Sequence, residues 1–506
     1  MRQATRYFLL VLATVCILAA LALLHSGGTP VRLANASLER LCGTAGFSAG
    51  VYLDQEKPAA NSDDESLSEG ELAIGLRVGG LARSWNQHET KFIRGRPGFS
   101  AYPPAFVPRK VLMLYDGEVM FQNLYLHNGT FYTITSLPES IPESSRVLCD
   151  PPVPKEKWVD HPPATAQRWQ VLTPAEADQV LGKRSAGVLA GTTFLFNDGP
   201  GKEGFLGHYF HFVAEAFAGA WRVYTSSPLA LLRNTAADIV FPSRVMLPRG
   251  DDWRDIRANL NTWFLNTILP NTAVEDIYQW EDRAKSNSVH VFSEIIIVDR
   301  WTAHRVPESE AQVWNKMTAD IMASPAPFDW WSPLRHSLMQ RIGIEGNARN
   351  RPVITYIDRQ ATGRKLVTED HDTFVKALAK FGEDHDVEIN SVQMEYLSKA
   401  EQFDIGTRTD IMVGVHGNGL SHQMWMKAGG KVLEFYDTGG FMRDYQLLAE
   451  AMHHTHYVIW NDTIHDKWRE NKKTFMTKNF NNVHLHTPFV IELLHSLVKQ
   501  IRDKRR

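Results

Sequence analysis

The sequence predicts an α/β protein made of two facing halves, each a sheet wound with helices on both sides, behind an amino-terminal membrane anchor and stem. Three observations carry this. From Pro352 onward, short apolar runs of strand length alternate regularly with helical segments, the β-α-β pattern of a parallel, doubly wound sheet. A similar alternation begins at Val171. Near the amino terminus, Tyr7 to Leu24 is apolar and free of charge. The chain divides accordingly into a cytosolic tip and anchor (1–24), a stem with some strand (25–165), an amino-terminal half (166–345) and a carboxyl-terminal half with a terminal helix (346–506).

The 506 residues leave room for about three domains of ordinary size. Apolar residues make up 43% and aromatic ones 10%, enough for a substantial core. A net charge of −3 gives no electrostatic footprint for nucleic acid. As a helix, Tyr7 to Leu24 spans about 27 Å, close to the hydrocarbon thickness of a bilayer. Arg2 and Arg6 precede it and place the amino terminus in the cytosol, making a single-pass type II protein with the remainder luminal. A cleaved signal peptide is the competing reading, but its apolar region usually runs to about 7–15 residues. Three sequons, at Asn35, Asn128 and Asn461, suit the luminal side as glycosylation sites. Cys16 lies in the anchor, so Cys42 and Cys149 are the luminal thiols. One disulfide joining them is the expectation, and two buried thiols the alternative.

Along the chain, residues 55–71 are acidic, small and nearly free of large apolar side chains, as in a stem or loop. Val119 to Leu126 and Phe131 to Thr135 flank His127-Asn-Gly, a strong hairpin signal. Pro151 to Pro163 reads as a connector. In the amino-terminal half, strands are expected at Thr193–Phe196, Arg244–Leu247 and Val289–Val298, the last ending at Asp299-Arg300, with a helix over His208–Val223. In the other half, strands are expected at Val353–Ile357, Val387–Asn390, Ile411–Val415, Val432–Phe435 and Tyr457–Trp460. Helices fill the gaps near Thr373–Phe381, Lys399–Arg408, Leu420–Lys427 and Met442–His453, and a last one covers about Pro488 to Lys504.

Three constellations carry chemistry. Ile411 to Val415 leads into His416-Gly417-Asn418-Gly419, where glycines allow a sharp turn and backbone N–H groups converge at a helix start, a place for an anionic group. The next strand carries Glu434, and an acid at that position commonly holds ribose hydroxyls in nucleotide-binding sheets. An ordinary strand-to-helix turn is the plain alternative. Second, His211 and Glu215 are spaced i, i+4, so on a helix they share a face and can hydrogen-bond, with His208 on much the same side. A histidine oriented by a carboxylate suits a general base; a core histidine satisfied by its neighbour is the alternative. Third, Arg359 and Arg364 leave the end of the Val353–Ile357 strand, and guanidinium groups match phosphate oxygens in bidentate fashion. A solvated basic loop would look the same.

The block Val413-Gly-Val-His-Gly-Asn-Gly-Leu420, followed by a short strand with Glu434, resembles the signature of glycosyltransferase family 61. The resemblance runs from about His208 to Trp460. It extends to the His211 helix, where Glu215 stands in place of the family's Asp, and to the Arg359 block, where Asp358 stands where serine is common. It implies a GT-B architecture of two Rossmann-like domains. It also implies an inverting transfer of xylose, N-acetylglucosamine or arabinose from a UDP-sugar to a glycan or glycoprotein in the Golgi or endoplasmic reticulum. His416, Gly417, Asn418, Gly419, Arg359, Arg364 and Glu434 would bind the nucleotide sugar; His211, with Glu215 and His208, would serve catalysis, the base among them being open. No metal or other cofactor is expected. Two further readings stand beside this one. Asp370-His-Asp372 or Asp384-His-Asp386 could hold a nucleotide-bound divalent ion, or the chain could be an anchored carbohydrate-binding protein without catalysis.

Overall fold

The structure, a computed structural model, describes residues 91–92, 118–149, 164–198 apart from 183 and 185, 206–226, 240–249, 252–254, 259–269, 271–304, 326–344, 351–465 and 482–505. All belong to the compact unit Leu81–Arg506. The expected anchor, the 55–71 stem, Asn35 and Cys42 lie outside the described residues. No described helix is long and apolar enough to cross a membrane.

The first sheet contains β1 (Lys91–Phe92), β2 (Glu118–His127), β3 (Thr130–Ile134), β4 (Trp169–Leu172), β5 (Ala186–Phe196), β6 (Arg244–Met246), β7 (Ala273–Glu275) and β8 (Val289–Val298). Among the described residues its order is β4-β3-β2-β8-β5-β6-β7, with β1 beside β2. The β8-β5-β6-β7 portion is parallel, as the alternation predicts. The uniform winding is broken at β2, which lies antiparallel to β8 from Glu118↔Val298 to His127↔Val289. The Asn128-Gly129 turn, with positive φ of 49° and 78° at its two residues, then folds β3 back on β2. Val119, Met120, Phe121, Leu124, Tyr125 and Leu126 of β2 are all buried, and the hairpin adds to the edge of β8.

The second sheet contains β9 (Val353–Ile357), β10 (Glu388–Val392), β11 (Ile411–Val415), β12 (Lys431–Phe435), β13 (Thr455–Trp460) and β14 (Thr463–His465). Its order is β10-β9-β11-β12-β13-β14, parallel throughout except for β14. Phe374 and Leu378 of helix Thr368–His385 and Leu494 and Val498 of helix Thr487–Arg505 cover one face. Phe403 of helix Lys399–Arg408, Trp425 and Leu448 of helix Asp444–Ala451 pack on the other. The sheet is therefore doubly wound. Strand order reverses between β9, whose chain leaves toward β10, and β11 on its other side, which opens a crevice at their carboxyl ends.

The two sheets share one core. Phe212, Phe217, Trp221 and Phe264 from the first half join Phe403, Trp425 and Leu448 from the second in a single apolar cluster. Helix Ser332–Arg341 fastens them: Arg335 donates to the carbonyls of Trp425 at 2.7 Å and Thr407 at 2.9 Å, and Ser337 to that of Ile268 at 2.7 Å.

Candidate functional site

The helix expected at His208–Val223 starts as a π-helix, Phe210–Phe217, and continues as α-helix Ala218–Ser226. Single π turns are rare and cost hydrogen-bond geometry, so they concentrate where a side chain has to be re-aimed. Every residue from Phe212 to Phe217 is buried, and the run is fixed in the core while His211, with its side chain 21% exposed, faces outward. His211 Nδ1 lies 2.6 Å from Glu215 Oε2. The same oxygen accepts from Arg300 Nη2 at 2.8 Å, and that nitrogen is 3.4 Å from His211 Nδ1. Arg300 follows β8 and is buried. Burial, and then the guanidinium, hold His211 below the usual histidine range, while Glu215 pulls the other way. The ring is therefore kept neutral and able to accept a proton. His208 is exposed, its ring tilted at 48° to that of His211 with the centroids 5.0 Å apart. It too is held low, by desolvation first and then by His211, Arg364 and Arg300.

The influence of Arg364 on His208 brings the second half to the same place, since Arg364 belongs to the loop after β9. Neighbouring Arg359 lies against the glycine loop: a Cβ on Gly417 would coincide with its guanidinium. Gly417 has φ 154° and ψ 174°, a conformation that side chains resist, so glycine is required twice over. Arg359 Nε donates to no described residue; burial lowers its pKa, against the pull of Tyr445 and Glu395. Asp358 does not pair with it. Its carboxylate instead caps Gln360 N–H at 2.8 Å and takes Gln393 Nε2 at 2.8 Å, which fixes the loop. Gly419 is held for a different reason, because a Cβ there would meet Ile357 Cγ2 at 2.7 Å. Asn418 accepts from the Ser421 hydroxyl at 3.1 Å. The helix start expected at Leu420 is a 3-10 segment, Asn418–Trp425.

Glu434 is placed beneath this loop, not in it. It pairs in register with Gly414 and Val458 inside the sheet and is fully buried. One oxygen accepts from His416 Nδ1 at 2.6 Å and Tyr436 OH at 2.9 Å, the other from His456 Nε2 at 2.7 Å. Burial alone would raise its pKa, but these hydrogen bonds and the histidine charges outweigh it and hold the carboxyl down at about 2. With both oxygens used inside the fold, the carboxylate orients His416 and offers no side to a ribose. His416 is buried as well, under Tyr445, whose ring is 5.2 Å away; Phe210 packs on Tyr445 at 5.2 Å and leads back to His211 at 5.4 Å. The structure thus brings His208, His211 and Glu215 near Arg364, whose loop also holds Arg359 against Gly417, with His416 and Glu434 inside the fold beneath the glycine turn.

Sequence reasoning missed four participants. Arg300 was visible only as the charged end of the β8 run, although a charge closing an apolar strand is itself a signal. Nothing local in the sequence sets Tyr436 and Tyr445 apart from other aromatic residues. Asp198, just past β5, is buried, and neither carboxyl oxygen accepts from another described residue. Burial, with Asp299 and Glu215 nearby, pushes it well above the usual carboxylate range, against the pull of Arg300. Of the D-x-D pairs, Asp370 accepts from His484 Nδ1 and Leu485 N–H on the first turn of its helix, while Asp384 pairs with Lys380 on the last. No group of three metal-ligating side chains is gathered among the described residues. Asn128 is exposed in the β2–β3 turn, and Asn461 is partly exposed with φ 50° between β13 and β14. Cys149 is buried, its Sγ 3.4 Å from Thr302 Oγ1.

The family model described as Glycosyltransferase 61 matches residues 209–433, which hold His211, Glu215, Arg300, both arginines of the β9 loop and the glycine turn. An EGF domain-specific O-linked N-acetylglucosamine transferase of Bos taurus is 30% identical over 125 residues, 24% of this chain and 23% of that protein. The match thus spans about a quarter of the relative's length.

Proposed function

From a chain that belongs, through residues 209–433, to glycosyltransferase family 61, we propose an inverting enzyme of GT-B type. It transfers a sugar from a UDP-sugar to a hydroxyl of a glycan or glycoprotein in the secretory pathway. The observation that carries this reading is the approach of two phosphate-suited arginines of the β9 loop, one of them against the glycine turn, to a histidine hydrogen-bonded to a carboxylate. In the proposed reaction the acceptor oxygen attacks the anomeric carbon from the face opposite the leaving group. The bond from that carbon to the diphosphate oxygen breaks, and UDP leaves with the bonding pair. The hydroxyl proton passes to His211. Arg359, Arg364 and the N–H groups of the Gly417–Gly419 turn meet the charge that develops on the diphosphate without reorganising. Glu215 fixes the imidazole tautomer, while burial and then Arg300 favour the unprotonated ring before the reaction. Glu434 acts at one remove, by holding His416 under the turn.

The test is UDP release from UDP-N-acetylglucosamine, UDP-xylose and UDP-arabinose with glycoprotein acceptors. N-acetylglucosamine comes first because the bovine relative is named for it. Acceptor-dependent release that persists in excess EDTA is expected. Release that needs manganese would favour a D-x-D site, and glycan binding with no release from any donor would favour a carbohydrate-binding protein.

A further inference from the structure

β10 runs beside β9 with Val392 opposite Ile357, so the segment after β10 leaves the sheet level with Asp358 and Arg359. It is tied there by Asp358 N–H to Val392 O at 2.8 Å and by Gln393 Nε2 to the Asp358 carboxylate at 2.8 Å. Met394–Tyr396 then form a 3-10 turn, closed by Tyr396 N–H to Gln393 O at 3.1 Å and Leu397 N–H to Met394 O at 3.2 Å. The capping box of Ser398 and Glu401 anchors its far end. Met394 packs toward Gly419, and Glu395 lies within electrostatic reach of Arg359. On this fixed turn the Tyr396 side chain is 76% exposed, more than any other large apolar residue described. On the opposite flank of the glycine turn, Tyr436, Phe441, Met442 and Tyr445 are all buried.

We propose that Tyr396 is the stacking platform for the base of the donor nucleotide, a proposal that rests on the reading of Arg359 and the glycine turn as the diphosphate site. A nucleoside diphosphate anchored there extends its base over an adjoining loop. The loop after β10 offers a bare ring, and the loop after β12 offers none. Stacking uses the π-face that every base has, so the ring supplies affinity, while edge contacts nearby select the base.

The experiment is calorimetric titration of UDP and of inorganic pyrophosphate into the wild-type protein, Tyr396→Ala, Tyr396→Phe and Arg359→Ala. Tyr396→Ala should weaken UDP binding roughly tenfold to a hundredfold, the usual worth of one base–aromatic stack. Its pyrophosphate affinity should stay at the wild-type value, and Tyr396→Phe should bind UDP nearly as the wild type does. If Tyr396→Ala binds UDP as tightly as the wild type while Arg359→Ala does not, the platform is overturned and the diphosphate site stands. Equal losses of UDP and pyrophosphate in Tyr396→Ala would overturn the platform by showing general damage to the loop. Wild-type protein that binds neither probe would remove the diphosphate site and the platform together.

Discussion

Arg300 and His211 converge on a single oxygen, Glu215 Oε2, from 2.8 Å and 2.6 Å. A carboxylate beside a histidine normally raises its basicity. Here burial, and after it the Arg300 guanidinium, outweigh the pull of Glu215 and leave the ring below the usual histidine range, while the hydrogen bond to Glu215 orients it.

The consequence for turnover is direct. His211→Ala should lower kcat by roughly a hundredfold to ten-thousandfold, the usual worth of general acid–base catalysis, with UDP affinity almost unchanged. Glu215→Gln should cost less, since shape and a hydrogen bond remain. His208→Ala should cost less still. A larger loss at His208 than at His211 would move the base by about one helical turn.

Arg300 contributes to the pH range. Because burial, and then Arg300, lower the pKa of His211, the neutral ring persists as pH falls below 6.5, and the acid limb of kcat/KM should lie below that value. Arg300→Gln keeps a donor and removes the charge, so the histidine pKa should rise and the acid limb should move to higher pH. An unmoved limb, or an unmoved His211 titration by NMR, would show that the two groups are not coupled.

The two glycines of the turn should separate binding from folding. Gly417→Ala places a methyl group where the Arg359 guanidinium sits and strains the backbone by about 1–3 kcal/mol; UDP affinity should fall at least tenfold. Gly419→Ala presses on Ile357 instead, so it should lower the melting temperature more than it lowers affinity in the folded fraction. Equal effects of both changes on UDP binding would refute the placement of Arg359.

Acid should destabilise the protein in two stages. His422 and His454 are buried and held at about 4, by desolvation first. The unfolded chain therefore binds protons that the fold refuses, and stability falls as pH drops from 6.5 toward 4. Glu434, held at about 2 in the fold against an ordinary 4.5, contributes stability above pH 4.5 that is lost as pH falls toward 2. Glu434→Gln should lower stability at pH 7 by about 1.5–3 kcal/mol and flatten the lower stage in thermal melts. A lower stage that survives in this variant would mean that other groups cause it.

Much of this was determined by sequence alone. Strands β8, β9 and β11 and helix Lys399–Arg408 have the bounds expected from apolar runs and periodicity, because burial on both faces and capping leave local marks. The glycine turn and the i, i+4 spacing of His211 and Glu215 are equally local. The tertiary structure decided what depends on distant residues. β2 joined β8 antiparallel because an open sheet edge, far along the chain, accepted its apolar faces. The π turn arose in a helix whose buried face must fit a core shared by both sheets. Glu434 turned inward because His416, His456 and Tyr436 satisfy it there, and no run of sequence reveals whether a carboxylate meets a ligand or three internal donors. Arg300 reached Glu215 by the same logic: sequence fixes which charges exist, and only packing fixes which of them share an oxygen.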